Sequence, residues 1–116
     1  MSTPLVDEAT FEQLKELMGD GLGHLVTRYT ELSAQYIETI QSALQDDNAE
    51  QAKDAAHPLK SSSQQLGVFQ VYELAKTIEH EAHEKGVVTD SMKQAAEQLP
   101  AVFEQSANAL KQAVAV

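Results

Sequence analysis

Apolar residues recur at intervals of three and four along most of this chain, the period of an α-helix with one buried face. Phe11, Leu14, Leu17 and Met18 form a first short stripe. Thr10 stands three residues before Gln13, the spacing of a capping box, so a helix is predicted over residues 10–18. Leu22, Leu25, Val26, Tyr29, Leu32, Tyr36, Ile37, Ile40 and Leu44 extend a longer stripe and predict a helix over 22–44. Asp46, Asp47 and Asn48 then form a turn, and Asn48 followed by Gln51 marks a third helix, over 49–66, that stops at Gly67. Val68, Val71, Tyr72, Ala75, Ile78 and Ala82 predict a fourth over 69–85, closed by Gly86. Met92, Ala96, Leu99, Val102, Phe103, Leu110 and Val114 predict a fifth over 90–113, which Pro100 is expected to bend. Alternating β-branched runs and Asn-Gly turns are absent. The expected fold is all-α: an antiparallel up-down-up-down four-helix bundle with a short extra N-terminal helix capping one end.

Composition narrows the function. The 116 residues suit one domain, 1–116, and a hydrophobic content of 42% suffices for one modest core. Eighteen acidic against eight basic side chains give a net charge of -10. That balance argues against nucleic acid and anionic membrane as partners, since both demand a basic face. The absence of cysteine removes disulfides, thiolate metal sites and thiol nucleophiles. No apolar run approaches membrane-spanning length. The opening Met-Ser-Thr-Pro-Leu-Val-Asp lacks a basic region and an apolar stretch, so no signal peptide is expected and the default location is cytoplasmic.

The third helix carries the candidate chemistry. At about 100° per residue, Ala52, Ala56, Leu59, Ser63 and Leu66 share one side, with Ala55 flanking, and His57 points nearly opposite Leu59 and Leu66. His57 is therefore expected to face solvent. Lys53, Asp54, Lys60 and Ser61 lie one turn away, and Glu50 and Gln64 two turns away. A neutral imidazole is a competent nucleophile near neutral pH. Lys53 and Lys60 would offset the charge of a phosphoryl group on the ring, while the Ser61 hydroxyl and Gln64 amide could hydrogen-bond its oxygens. Spacing alone leaves the plainer alternative open, a solvated histidine beside a packing run of serines.

The string Ala56-His57-Pro58-Leu59-Lys60-Ser61-Ser62-Ser63-Gln64-Gln65-Leu66-Gly67 resembles the signature of histidine-containing phosphotransfer (HPt) domains, Ala-His-x-Leu-Lys-Gly-Ser-Ser-x-x-Leu-Gly. Ala56, His57, Leu59, Lys60, Ser62, Ser63, Leu66 and Gly67 match it, and the helix order resembles the family's over the whole chain. Ser61 stands where the family usually has glycine, and it is small enough to keep the ring accessible. Pro58 removes a helical hydrogen bond and crowds the carbonyl of Asp54, so the helix either kinks there or breaks in two. The unbroken phase of the stripe from Ala52 to Leu66 favours a kinked, continuous helix.

The resemblance implies a phosphotransfer protein of a multistep two-component phosphorelay. His57 would accept a phosphoryl group from a receiver-domain aspartate and pass it to another. Response-regulator receiver domains and a hybrid sensor histidine kinase would be its partners, the module being a monomer. It implies no cofactor of its own, Mg²⁺ coming from the receiver, and no ATP-dependent kinase activity, since no nucleotide-binding motif is present. The alternative is a non-catalytic helical adaptor that binds the same partners without being phosphorylated. A third reading takes His80 and His83, with Glu79 or Glu84, as metal ligands. The segment closes a helix, where a solvated charged face is the simpler reading, and no metal site is assigned. His24, near the glycines that open the second helix, has no evident partner.

Overall fold

The structure, a computed structural model, describes residues 4–115. Residues 1–3, which begin the segment read above against a signal peptide, and Val116 lie outside the described residues. Five helices make up the fold: α1 (Glu8–Met18), α2 (Gly21–Gln45), α3 (Ala49–Leu66), α4 (Phe69–Lys85) and α5 (Asp90–Ala115). The described residues contain no strand.

The last four helices form the bundle. Connections over residues 46–48, 67–68 and 86–89 are too short to do anything but reverse direction, so neighbours run antiparallel. α3 packs on α2 and α4, α4 on α5, and α5 closes on α2, with no diagonal pairing. Fully buried Ile40, Leu59, Leu66, Ile78, Met92, Leu99 and Leu110 fill the centre. The inner face of α3 is mostly small, with Ala49, Ala52, Ala55, Ala56 and Ser63 buried, so its backbone comes close to its neighbours. Tyr29 reaches across this interface, its hydroxyl 2.7 Å from Ser63 Oγ. Burial pushes the Tyr29 phenol up to about 12, against the smaller lowering effect of its serine hydrogen bonds.

The predicted caps of α3 are present. Asn48 Oδ1 accepts the Gln51 amide at 3.0 Å, and Gly67 ends the helix at φ 76°, with its own amide and that of Val68 turned back onto the Gln64 and Ser63 carbonyls. α3 runs through Pro58 without a break, and α5 runs through Pro100.

α1 departs from the expectation. Asp7, not Thr10, is its N-cap: the Asp7 carboxylate accepts both the amide of Thr10 at 3.0 Å and its hydroxyl at 2.7 Å. These bonds hold the Asp7 carboxyl below its usual value. A carboxylate three residues upstream captured the amide and hydroxyl that a Thr10–Gln13 box would have engaged, and the helix begins at Glu8. Leu17, expected inward, is 84% exposed, and Met18 is exposed too. Leu17 lies about 120° around the helix from buried Phe11, and α1 touches the bundle on only one flank, against α2 and α3.

That contact is anchored at Gly67. The amide of Asp7 donates to the Gly67 carbonyl at 2.8 Å, and a Cβ on Gly67 would lie 3.0 Å from Thr10 Cβ, 3.2 Å from Asp7 Cβ and 3.3 Å from the Asp7 carbonyl oxygen. Gly86 has a similar φ of 69° with nothing within 4 Å of such a Cβ. Gly86→Ala should therefore cost only the left-handed conformation, about 1 kcal/mol. Gly67→Ala should cost about 1–2 kcal/mol more, because α1 must also shift. Urea unfolding of both variants checks this, and equal losses would contradict the packing role of Gly67.

Candidate functional site

His57 leaves the middle of α3 on the side away from the core, and its side chain is 64% exposed. It is nevertheless held. Its Nδ1 lies 2.5 Å from Glu79 Oε2, on the facing turn of α4. The other oxygen of the same carboxylate, Oε1, takes the Lys60 ammonium. Glu79 is 19% exposed, so one largely buried carboxylate ties a surface imidazole and a half-buried ammonium together across the α3–α4 seam.

The electrostatics fix the proton arrangement. Burial alone would raise the Glu79 carboxyl, but hydrogen bonds from Lys60 and His57, and their charges, outweigh it and bring it below its ordinary value of 4.5. Glu79 is thus a carboxylate near neutral pH and can only accept hydrogen bonds. The Nδ1 atom at 2.5 Å must carry the hydrogen. In the neutral ring the lone pair is then on Nε2, the nitrogen turned away from Glu79. An exposed ring, held at Nδ1 by one carboxylate and with its other nitrogen outward, has a geometry in which Nε2 can act as a nucleophile.

The other predicted residues fall around this centre with different engagements. Lys53, one turn before His57, is half-buried and pairs with Glu50 at 3.4 Å. Lys60 also belongs to a pair, so both lysines are engaged with carboxylates. Ser61 and Gln64 are exposed on the same flank of α3 as His57, one and two turns on, and neither hydrogen-bonds it. The small Ser61 leaves the approach to the ring open.

Glu79 was the residue that sequence reasoning missed in this role. In the sequence it stands out only as a candidate metal ligand beside His80 and His83. Among the described residues no three His, Cys, Asp or Glu side chains are grouped to hold a metal ion, which leaves that reading without a ligand set. The signal was the hairpin itself: His57 lies ten residues before Gly67, and Glu79 eleven after Val68, so an antiparallel pair joined at 67–68 sets them opposite one another. His80 and His83 instead join Lys53, Lys60, Lys76 and Glu79 along a groove of about 420 Å³ between α3 and α4. Among the described residues no helix is long and apolar enough to cross a membrane.

No curated protein sequence matches this chain. Among solved structures, the crystal structure of histidine-containing phosphotransfer protein B (HptB) from Pseudomonas aeruginosa PAO1 superposes with a TM-score of 0.87. The match covers 96% of this chain and 95% of that one at 23% sequence identity, and so concerns the helical bundle fold. The family model described as the Hpt domain matches residues 24–114, from the start of α2 almost to the end of α5 with the whole His57 helix inside it, and the chain belongs to the Hpt domain family.

Proposed function

We propose that the protein is a phosphoryl carrier in a multistep phosphorelay, with His57 as the residue phosphorylated. The observation that carries this reading is the Glu79–His57 hydrogen bond, which leaves Nε2 as the free nucleophilic atom of an exposed ring. Family membership supports the class of reaction. The partners are receiver domains, one donating and another accepting, with a hybrid sensor kinase upstream.

The chemistry balances on these atoms. The Nε2 lone pair attacks the phosphorus of a receiver's aspartyl-phosphate, the P–O bond to the aspartate breaks, and the carboxylate leaves. The ring keeps its Nδ1 hydrogen and becomes cationic, directly opposite the Glu79 carboxylate. In the second half, a carboxylate oxygen of the next receiver attacks phosphorus, the N–P bond breaks, and the neutral imidazole leaves. Glu79 thus holds one orientation and one proton through both halves. Lys60, one turn on from His57, supplies positive charge beside the phosphoryl oxygens, and Lys53, Ser61 and Gln64 extend the polar rim. Transfer of this kind asks the protein mainly for position and charge compensation. The receiver's own acidic pocket would bring Mg²⁺, and nothing in this reading requires a cofactor held by the Hpt chain or a nucleotide.

Incubation with a phosphorylated receiver should place an acid-labile, base-stable label on the protein, and His57→Gln should abolish it. Label surviving undiminished in that variant would contradict the assignment to His57, whereas binding with no label on the wild type would favour the adaptor reading. Lys60→Ala should slow transfer while leaving receiver binding measurable by calorimetry.

Glu79→Gln should slow transfer on the order of ten- to a hundredfold, as expected when the carboxylate behind a reactive imidazole is lost. The same variant gives a stability test. The folded-state pKa of Glu79 is depressed, so its contribution is present above the ordinary value of 4.5 and is lost as pH falls through the lowered one. Wild type should exceed Glu79→Gln in unfolding free energy near neutrality, and the gap should close in acid. A constant gap across that range would contradict the assigned ionisation.

A further inference from the structure

The groove beside His57 has a charge opposite to that of the molecule around it. The whole chain carries -10, yet Lys53, Lys60, Lys76, His80 and His83 line this groove with Glu79 as its one acid. Three of only eight basic residues in the chain are gathered here. The segregation follows from helix phase. α4 turns Lys76, Glu79, His80 and His83 toward α3, while Glu73 lines a separate hollow against α5, and Glu81 accepts the Thr89 hydroxyl at 3.1 Å. On α3, Glu50 is engaged with Lys53.

The charges in the groove are unequally engaged. Glu79 is consumed by His57 and Lys60. Lys76 is exposed and lies 5.8 Å over the Tyr72 ring, and among the described residues neither it nor His80 nor His83 has a carboxylate partner. With Lys53, Lys60 and Lys76 against the one committed acid Glu79, the groove holds more cationic than anionic side chains, and the unpaired Lys76 leaves it a local positive field in an acidic protein. The field is spread out. Lys53 and Lys60 are seven residues apart, about 10 Å along the helix axis, with Lys76 and His83 facing them from α4. That length suits a run of side chains on a partner better than one small anion.

We propose that this α3–α4 groove docks an acidic segment on the rim of the receiver partner and so orients its aspartyl-phosphate onto Nε2 of His57. The inference rests on the phosphotransfer reading above. It adds the direction from which the partner arrives: from the α4 side of the ring. Complementary charge at such a rim acts chiefly on encounter and register, and its effect falls as salt rises.

The test compares Lys76→Glu with Lys111→Glu, which makes the same change of net charge on α5, beside a different hollow. The probe is a receiver domain that labels His57, titrated at low and high ionic strength. Lys76→Glu should raise the receiver concentration giving half-maximal transfer about tenfold at low salt, with the difference shrinking at high salt. Lys111→Glu should stay within about twofold of wild type. Equal effects of the two variants, or none from Lys76→Glu, would overturn the docking assignment. A second arm needs no phosphotransfer: a short poly-glutamate peptide added to the ¹⁵N-labelled protein should shift amides of Lys53, Lys76, His80 and His83 in the wild type and fail to do so in Lys76→Glu. If no receiver labels His57 but the peptide still maps to the groove, the carrier reading fails and the anionic preference of the groove stands. If the peptide shifts nothing there, the groove has no such preference and the proposal is wrong whatever the transfer assays show.

Discussion

Much of this molecule is organised by the reversal at Gly67 and Val68. A left-handed residue ends α3, its carbonyl takes the amide of Asp7, and the chain turns at once into α4. A connection this short leaves little freedom of register between the two helices. The register in turn brings Glu79 opposite His57 and Lys60, and Lys76 and His83 opposite the lysines of α3. The same glycine, lacking a Cβ, lets α1 lie against the end of the bundle. A backbone constraint far along the helix from His57 therefore decides which carboxylate its ring meets.

The site built on that register is a division of labour between buried and exposed groups. Glu79 is withdrawn from solvent and has its two oxygens committed, one to a cation and one to an imidazole N–H. His57 is left in solvent with its second nitrogen free. The small residues on the inner face of α3 act from the other side, because a helix seated close to its neighbours is a rigid base for an exposed side chain. The net negative charge of the chain describes its surface in bulk, while the α3–α4 seam carries the opposite sign.

The fold was largely legible from the apolar spacing, because four amphipathic helices with short polar breaks have few other ways to bury their stripes. Asn48, Gly67 and Gly86 read correctly as ends because each has a local backbone reason to be there. The first helix read less well. Thr10 and Gln13 offered a capping pattern that Asp7 outcompeted, and Leu17 followed an apolar spacing on a helix too marginal to bury it. The exposure of His57 was legible from helix phase alone, and Ser61 and Gln64 fell on its flank as expected. Its partner was not, since Glu79 is one of three acids in Glu79-His80-Glu81-Ala82-His83-Glu84, and only the hairpin register singles it out. The sequence placed Lys53 and Lys60 beside His57 but did not single out their carboxylates, Glu50 for Lys53 and, for Lys60, the Glu79 that it shares with His57.

The central claim is that Glu79 keeps the hydrogen on Nδ1 of His57 and leaves Nε2 to react. Long-range ¹H–¹⁵N correlation of the His57 ring measures this directly, at alkaline pH and again after phosphorylation. The account predicts a protonated Nδ1 and a bare Nε2 in the free protein, and phosphorus bonded to Nε2 in the phosphorylated one. A ring protonated at Nε2, or a phosphoryl group on Nδ1, would contradict it.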